Sequence, residues 1–209
     1  MTSAGHAFEH NIFINCPFDS DYQPILEAIL FCVVDCGLSP RIATERADSG
    51  EVRLNKIVEL IRTCRYSIHD LSRVQAKEGG EFARLNMPFE LGIDYGFAKS
   101  SGGKLKSKKL LVIAEARYKY QVALSDIAGW DIQTHDGKYD EAIGVVRYWL
   151  ASIDLANRSH SQILGDYLGY QEWDFERLRE VGWNETDIRR RPTRELLDAM
   201  EGWVNAGRP

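Results

Sequence analysis

The chain has 209 residues, 44% of them hydrophobic, enough to fill one globular core and carry an appendage. Its formal net charge of -5 argues against a binder of duplex nucleic acid, which needs clustered Lys and Arg for phosphate contacts. No apolar run approaches the roughly 18 residues of a membrane span, and residues 1–10 lack the apolar stretch of a secretion signal, so a cytoplasmic protein without a membrane partner is expected.

Residues 11–16 form a short apolar run closed by Pro17, the pattern of a first strand. Residues 22–36 place Ile25, Ile29, Cys32, Val33 and Cys36 at helical spacing, and Gly37 is a natural stop. Residues 38–44 predict a second strand that contains Pro40. Residues 51–64, with Val52, Ile57, Leu60 and Ile61, predict a second amphipathic helix, and residues 65–71 a third strand. Residues 73–86 are polar, include Gly79-Gly80 and read as a loop, a candidate lid. Residues 87–99 predict a helix with Pro88 at its first position, where a missing N–H costs nothing. Residues 100–108 are a Gly-, Ser- and Lys-rich connection. Residues 109–114 (KLLVIA) are apolar on both faces, as a central parallel strand should be. Residues 128–134 predict a fifth strand, and residues 138–153 a helix with Ala142, Val145, Val146, Trp149 and Leu150 on one face.

Beyond residue 156 the pattern changes to three short helices over 163–168, 173–181 and 194–204, with Gly182-Trp183 between them and Pro192 opening the last. Trp173, Trp183 and Trp203 lie in this stretch, where they serve either a mini-core or a docking surface for a second copy or a partner protein. Strands alternating with helices imply βαβ units and a parallel sheet. The expected fold is a doubly wound, flavodoxin-like α/β sheet of about five strands over residues 1–155, with a helical appendage over 156–209. Cys16, Cys32, Cys36 and Cys64 read as reduced core residues, and no ligand spacing points to a metal.

In such a sheet the ligand lies beyond the carboxyl ends of the strands. The segments that follow strands are 17–22, 44–51, 70–86 and 115–120. Glu90 stands out within Pro88-Phe89-Glu90-Leu91-Gly92. With Pro88 at the first helical position, Glu90 falls at the third, the carboxylate position of a capping box, but Met87 has no oxygen to complete such a box. The functional alternative is a carboxylate beside a sugar, stabilising or attacking the positive carbon formed when an N-glycosidic bond breaks. Asp70 ends the third strand, where it can accept from a ribose hydroxyl or cap the next loop, with Ser72 beside it. Alternation points His69 away from Asp70. Asp19 or Ser20 can cap the first helix, and free backbone N–H groups in that turn can hold a phosphate. Phe18 or Tyr22 can stack on a base, and Arg41, Arg46 and Arg53 can pair with phosphate or stay solvated.

Asn11-Ile12-Phe13-Ile14-Asn15-Cys16-Pro17-Phe18-Asp19, leading into a helix that ends at Cys36-Gly37-Leu38, resembles the opening of TIR domains. Asp70-Leu71-Ser72, a loop, and then Pro88-Phe89-Glu90-Leu91-Gly92 resembles the Asp-to-Glu-Leu-Gly region of nucleoside 2-deoxyribosyltransferases. The likeness covers residues 11–150. It departs where the transferases carry Gly-Thr before the Glu and this chain has Asn86-Met87-Pro88-Phe89, and where TIR domains carry a Ser and a Tyr-Trp cluster that is missing here. Both families place an essential Glu at the start of the helix after strand three, and both comparisons fall on Glu90. The resemblance implies a hydrolase that cleaves the N-glycosidic bond of NAD or a related nucleotide, without a further cofactor, as an effector in bacterial antiphage defence. It casts Glu90 and Asp70 as catalytic and Phe18, Asp19, Ser20, Arg46 and Ser72 as substrate-binding. The alternative is a non-catalytic module that binds a nucleotide signal or assembles with other proteins.

Overall fold

The computed structural model describes residues 8–46, 48–74, 84–100 and 102–209. The part of the expected lid over residues 75–83 lies outside the described residues. Five strands, β1 (Asn11–Asn15), β2 (Ser39–Ile42), β3 (Tyr66–Asp70), β4 (Lys109–Ala114) and β5 (Gln133–Thr134), form one parallel sheet in the order β2-β1-β3-β4-β5. That order is the doubly wound, flavodoxin-like arrangement, whose order reverses between β1 and β3. Helices α1 (Gln23–Asp35) and α4 (Tyr139–Ser152) cover one face, and α2 (Arg53–Thr63) and α3 (Asn86–Ser100) the other. Pro40 is tolerated because β2 lies at the sheet edge, where an absent N–H breaks no ladder.

Alternation sorts the strand residues by face. Ile12 and Ile14 of β1, Ile68 of β3, and Leu111 and Ile113 of β4 join the core under α1 and α4. Phe13 of β1 packs with Ile57, Leu60 and Ile61 of α2 on the other side. β3 is buried along its whole length, as a strand covered on both faces must be.

α5 (His160–Glu180), α6 (Glu185–Arg190) and α7 (Thr193–Asn205) complete the chain. The two helices expected over 163–168 and 173–181 are one continuous α5, opened by a capping box between Ser159 and Gln162. Gly165 and Gly169 lower the local helix propensity, but Tyr167 and Tyr170 between and beyond them are buried against Phe31 of α1, with ring centroids 5.5 and 5.3 Å away. Gly169 also leaves room for Trp203, whose ring passes 3.7 Å from where a Cβ would stand. α6, which the pattern did not announce, is capped by Asn184. The tail makes no separate mini-core: Tyr167, Tyr170, Leu196, Leu197, Met200 and Trp203 belong to the same buried cluster as α1. Consequently α1 is enclosed on all sides, with Ala28, Ile29, Leu30, Phe31, Cys32 and Val33 each 0% exposed. The four thiols are free, and no helix among the described residues is long and apolar enough to cross a membrane.

Candidate functional site

The carboxyl ends of β1 and β3 bring together Cys16, Asp70 and the turn at residues 17–22. Asp70 is 0% exposed and saturated with donors. Its Oδ1 accepts from the Ser72 N–H at 2.7 Å, and its Oδ2 from the Tyr22 hydroxyl at 2.6 Å and from His135 Nε2 at 2.9 Å. Full burial of a carboxyl is tolerable on these terms, because each donor replaces a lost water. Burial, and the Asp70 charge beside it, push the Tyr22 hydroxyl well above its usual range, so it stays a donor. His135 follows β5 directly, and its Nδ1 accepts from the Gly137 N–H at 3.2 Å. That acceptor role places the ring proton on Nε2, facing Asp70.

The opposite face of β3 carries a second buried chain. Lys108 Nζ meets Asp94 at 3.1 Å and donates to the carbonyls of Ile61 and Cys64 at 2.9 and 2.6 Å. Asp94 pairs with His69 Nε2 at 3.0 Å, and Asn15 Nδ2 lies 3.0 Å from His69 Nδ1. Asn15 also donates to the Met87 carbonyl at 2.9 Å. Burial pushes the Asp94 carboxyl up, but His69 and Lys108 outweigh it and hold the group below its usual range. The chain thus ties the first turn of α3 to β1, β3 and the start of β4. His69 is structural and turned away from Asp70, as strand alternation requires.

Glu90 is placed by that anchored helix. α3 begins at Asn86, with Phe89 N–H bonded to the Leu85 carbonyl at 3.1 Å, so the helix starts earlier than the Pro88 signal predicts. Pro88 therefore takes the third position and Glu90 the fifth, past the reach of a capping box. Glu90 is only 5% exposed. Among the described residues no group donates a hydrogen bond to it. Burial raises its pKa from 4.5 to about 7, opposed in part by the charge of Arg53 at the start of α2. The Cys16 thiol is pushed well up by burial and then by the charges of Asp70, Glu90 and Asp19, which shows that these carboxylates converge on the end of β1. A thiol so disfavoured as thiolate is no nucleophile.

Of the other expected residues, Asp19 closes its turn by accepting from the Tyr22 N–H at 3.1 Å. It also takes two bonds from the Arg73 guanidinium, each at 3.2 Å, while Arg84 lies 3.7 Å away. Burial pushes the Asp19 carboxyl up, but Arg73 and Arg84 outweigh it and hold the group below its usual range. The other Arg73 nitrogen binds Glu115 beyond β4 at 3.1 Å. Phe18 is 39% exposed and Ser20 is exposed, both on the turn after β1. Ser72 touches His135 Nε2 through its hydroxyl at 3.1 Å. Arg46 instead faces α2, 3.3 Å from Glu59 and 3.6 Å from Glu51, and no described contact joins it to Asp70 or Glu90. Among the described residues no cluster of His, Cys, Asp and Glu is placed to hold a metal ion. His135 escaped the sequence reading because the segment after the fifth strand was not among those singled out, although His135 follows that strand directly. Arg73 escaped because an arginine in a polar loop carries no signal of its partners. No family model matches this chain, and neither curated proteins nor solved structures provide a match.

Proposed function

We propose that the protein is an N-glycosidase, a hydrolase that releases the base from NAD or a related nucleotide, with Glu90 as the group that stabilises or attacks the anomeric carbon. One observation carries this reading: a glutamate 5% exposed, at the order reversal of a doubly wound sheet, with no hydrogen-bond donor to its carboxyl among the described residues. Such a group is costly to ionise until a cation arrives, and the sugar carbon of a breaking N-glycosidic bond supplies one. In this reading Asp70 orders the ribose side of the cleft, Phe18 lies against the base, and Asp19, Ser20 and Ser72 line the approach, with no further cofactor. Arg46, engaged with Glu51 and Glu59, is the least supported of the set. The likeness to TIR domains and nucleoside deoxyribosyltransferases suggests a cytoplasmic effector of bacterial antiphage defence. Self-association, or a partner protein, would use the C-terminal helices, where Trp173 and Trp183 line a groove of about 510 Å³.

Purified protein incubated with NAD and with nucleosides should release free base, read by chromatography. Glu90→Gln should abolish that release while circular dichroism and the unfolding transition are retained. Turnover by the Gln variant rules out the assignment. Because the reaction needs the ionised form, kcat/KM should rise about tenfold per pH unit below about 7 and level off above it. Tight binding of a nucleotide without product would instead indicate a non-catalytic nucleotide-signal module.

A further inference from the structure

The Tyr22, Asp70, His135 and Ser72 cluster has one hydrogen-bond donor left over, and the directions of the other bonds identify it. Gly137 N–H occupies His135 Nδ1, so the ring proton lies on Nε2, which is 2.9 Å from Asp70 Oδ2 and 3.1 Å from Ser72 Oγ. Ser72 Oγ is therefore an acceptor in this pair. The Tyr22 proton is spent on Asp70 at 2.6 Å. No described residue takes the Ser72 hydroxyl proton, and Ser72 is half-buried where Asp70, His135 and Tyr22 are buried.

We infer that Ser72 is the member of this cluster that meets the ligand, donating its hydroxyl proton to a neutral acceptor, a carbonyl, ring nitrogen or hydroxyl oxygen of the base or sugar. His135 is a positioning residue that fixes the Ser72 hydroxyl, and Asp70 and Tyr22 fix His135. The acceptor is neutral because the Asp70 carboxyl stands directly behind, and Asp19 and Glu115 already take the Arg73 guanidinium. A phosphate placed against Ser72 would meet those carboxylates, with the Arg73 guanidinium already held by two of them. The ligand thus enters with its nucleoside end toward Ser72 and its phosphates away from the cluster. This inference rests on the N-glycosidase reading and adds an orientation and a donor to it.

The test uses the full chain carrying Glu90→Gln, so that ligand is not consumed, titrated calorimetrically with NAD, inosine and inorganic phosphate. Adding Ser72→Ala should weaken NAD or inosine about 3- to 10-fold, the loss of one hydrogen bond, and Ser72→Thr should restore it. Phosphate should not compete with inosine. His135→Gln should weaken binding similarly but add little to Ser72→Ala in the double variant, since both act through one hydroxyl. In the protein with Glu90 intact, Ser72→Ala should raise KM more than it lowers kcat. Nitrogen-15 NMR should find the His135 proton on Nε2. Unchanged affinity in Ser72→Ala, competition of phosphate with inosine, or a proton on Nδ1 overturns the inference while leaving base release by Glu90 standing. Failure of both NAD and inosine to bind, together with absence of base release, overturns the N-glycosidase reading and this inference with it.

Discussion

Glu90 links pH to stability as well as to chemistry. The unfolded chain loses this proton near 4.5, whereas burial holds it in the folded protein up to about 7. Between those values the unfolded state binds fewer protons, so stability falls as pH rises through the window, and the loss is complete above it. At about 1.4 kcal/mol per pKa unit, the cost of the ionised group is on the order of 3 kcal/mol. Glu90→Gln should therefore raise the melting temperature at pH 8 and leave it nearly unchanged at pH 4, read by thermal denaturation at both. A Gln variant less stable at pH 8 would mean that favourable contacts hold the carboxylate. Asp70 offers the contrast: equally buried, but met by Tyr22, His135 and Ser72, it is satisfied in place. Its value to a ligand is thus indirect, through the groups it holds still.

Among the elements, α3 matters most, because its anchoring sets where Glu90 lies. Asp94, one turn beyond Glu90, joins Lys108 and His69, all with wholly buried side chains. Asp94→Ala leaves a buried ammonium with only two carbonyls and should cost about 3–5 kcal/mol in denaturant unfolding. Asn15→Ala, which frees the Met87 carbonyl, should lower base release more than stability, because it loosens the helix at the end that carries Glu90. How far these elements could be read from sequence depended on what signals them. β4 was legible to the residue because six consecutive apolar-rich positions have no other use. The placement of Asp70 at the end of β3 and of Glu90 early in α3 was legible because each is an acidic residue next to apolar strand or helix patterns. The position of Glu90 in its helix was not, since Pro88 fits either the first or the third position, both of which lack an intrahelical acceptor. α5 was read as two helices with a break over 169–172, where Gly169 lowers the local helix propensity, whereas Phe31, more than a hundred residues away, decides for continuity.

In the whole molecule, the C-terminal helices serve as the second cover of α1. Apart from Glu27, residues 25–34 carry only apolar side chains, as a helix covered on more than one face requires. Trp203, 2% exposed and 5.7 Å from Phe31 between ring centroids, anchors α7; Trp203→Ala should cost about 3–5 kcal/mol, measured by chemical denaturation. Deleting residues 157–209 should uncover Phe31 and its neighbours and yield a chain that aggregates and binds hydrophobic dye. A soluble, cooperatively unfolding fragment would show instead that the α/β layer is self-sufficient. At the far end of α1, Asp35 accepts from Arg158 at 2.6 Å and from Arg208 at 2.8 Å, so the last residues are tethered there. α1 has 13 residues, which at about 1.5 Å each sets that tether roughly 20 Å from the turn at residues 17–22, at the helix's opposite tip. An affinity handle or sensor-chip linker joined after Pro209 would therefore leave from the end of α1 opposite the candidate site, and immobilised protein would keep the carboxyl ends of the strands turned toward whatever is flowed across it.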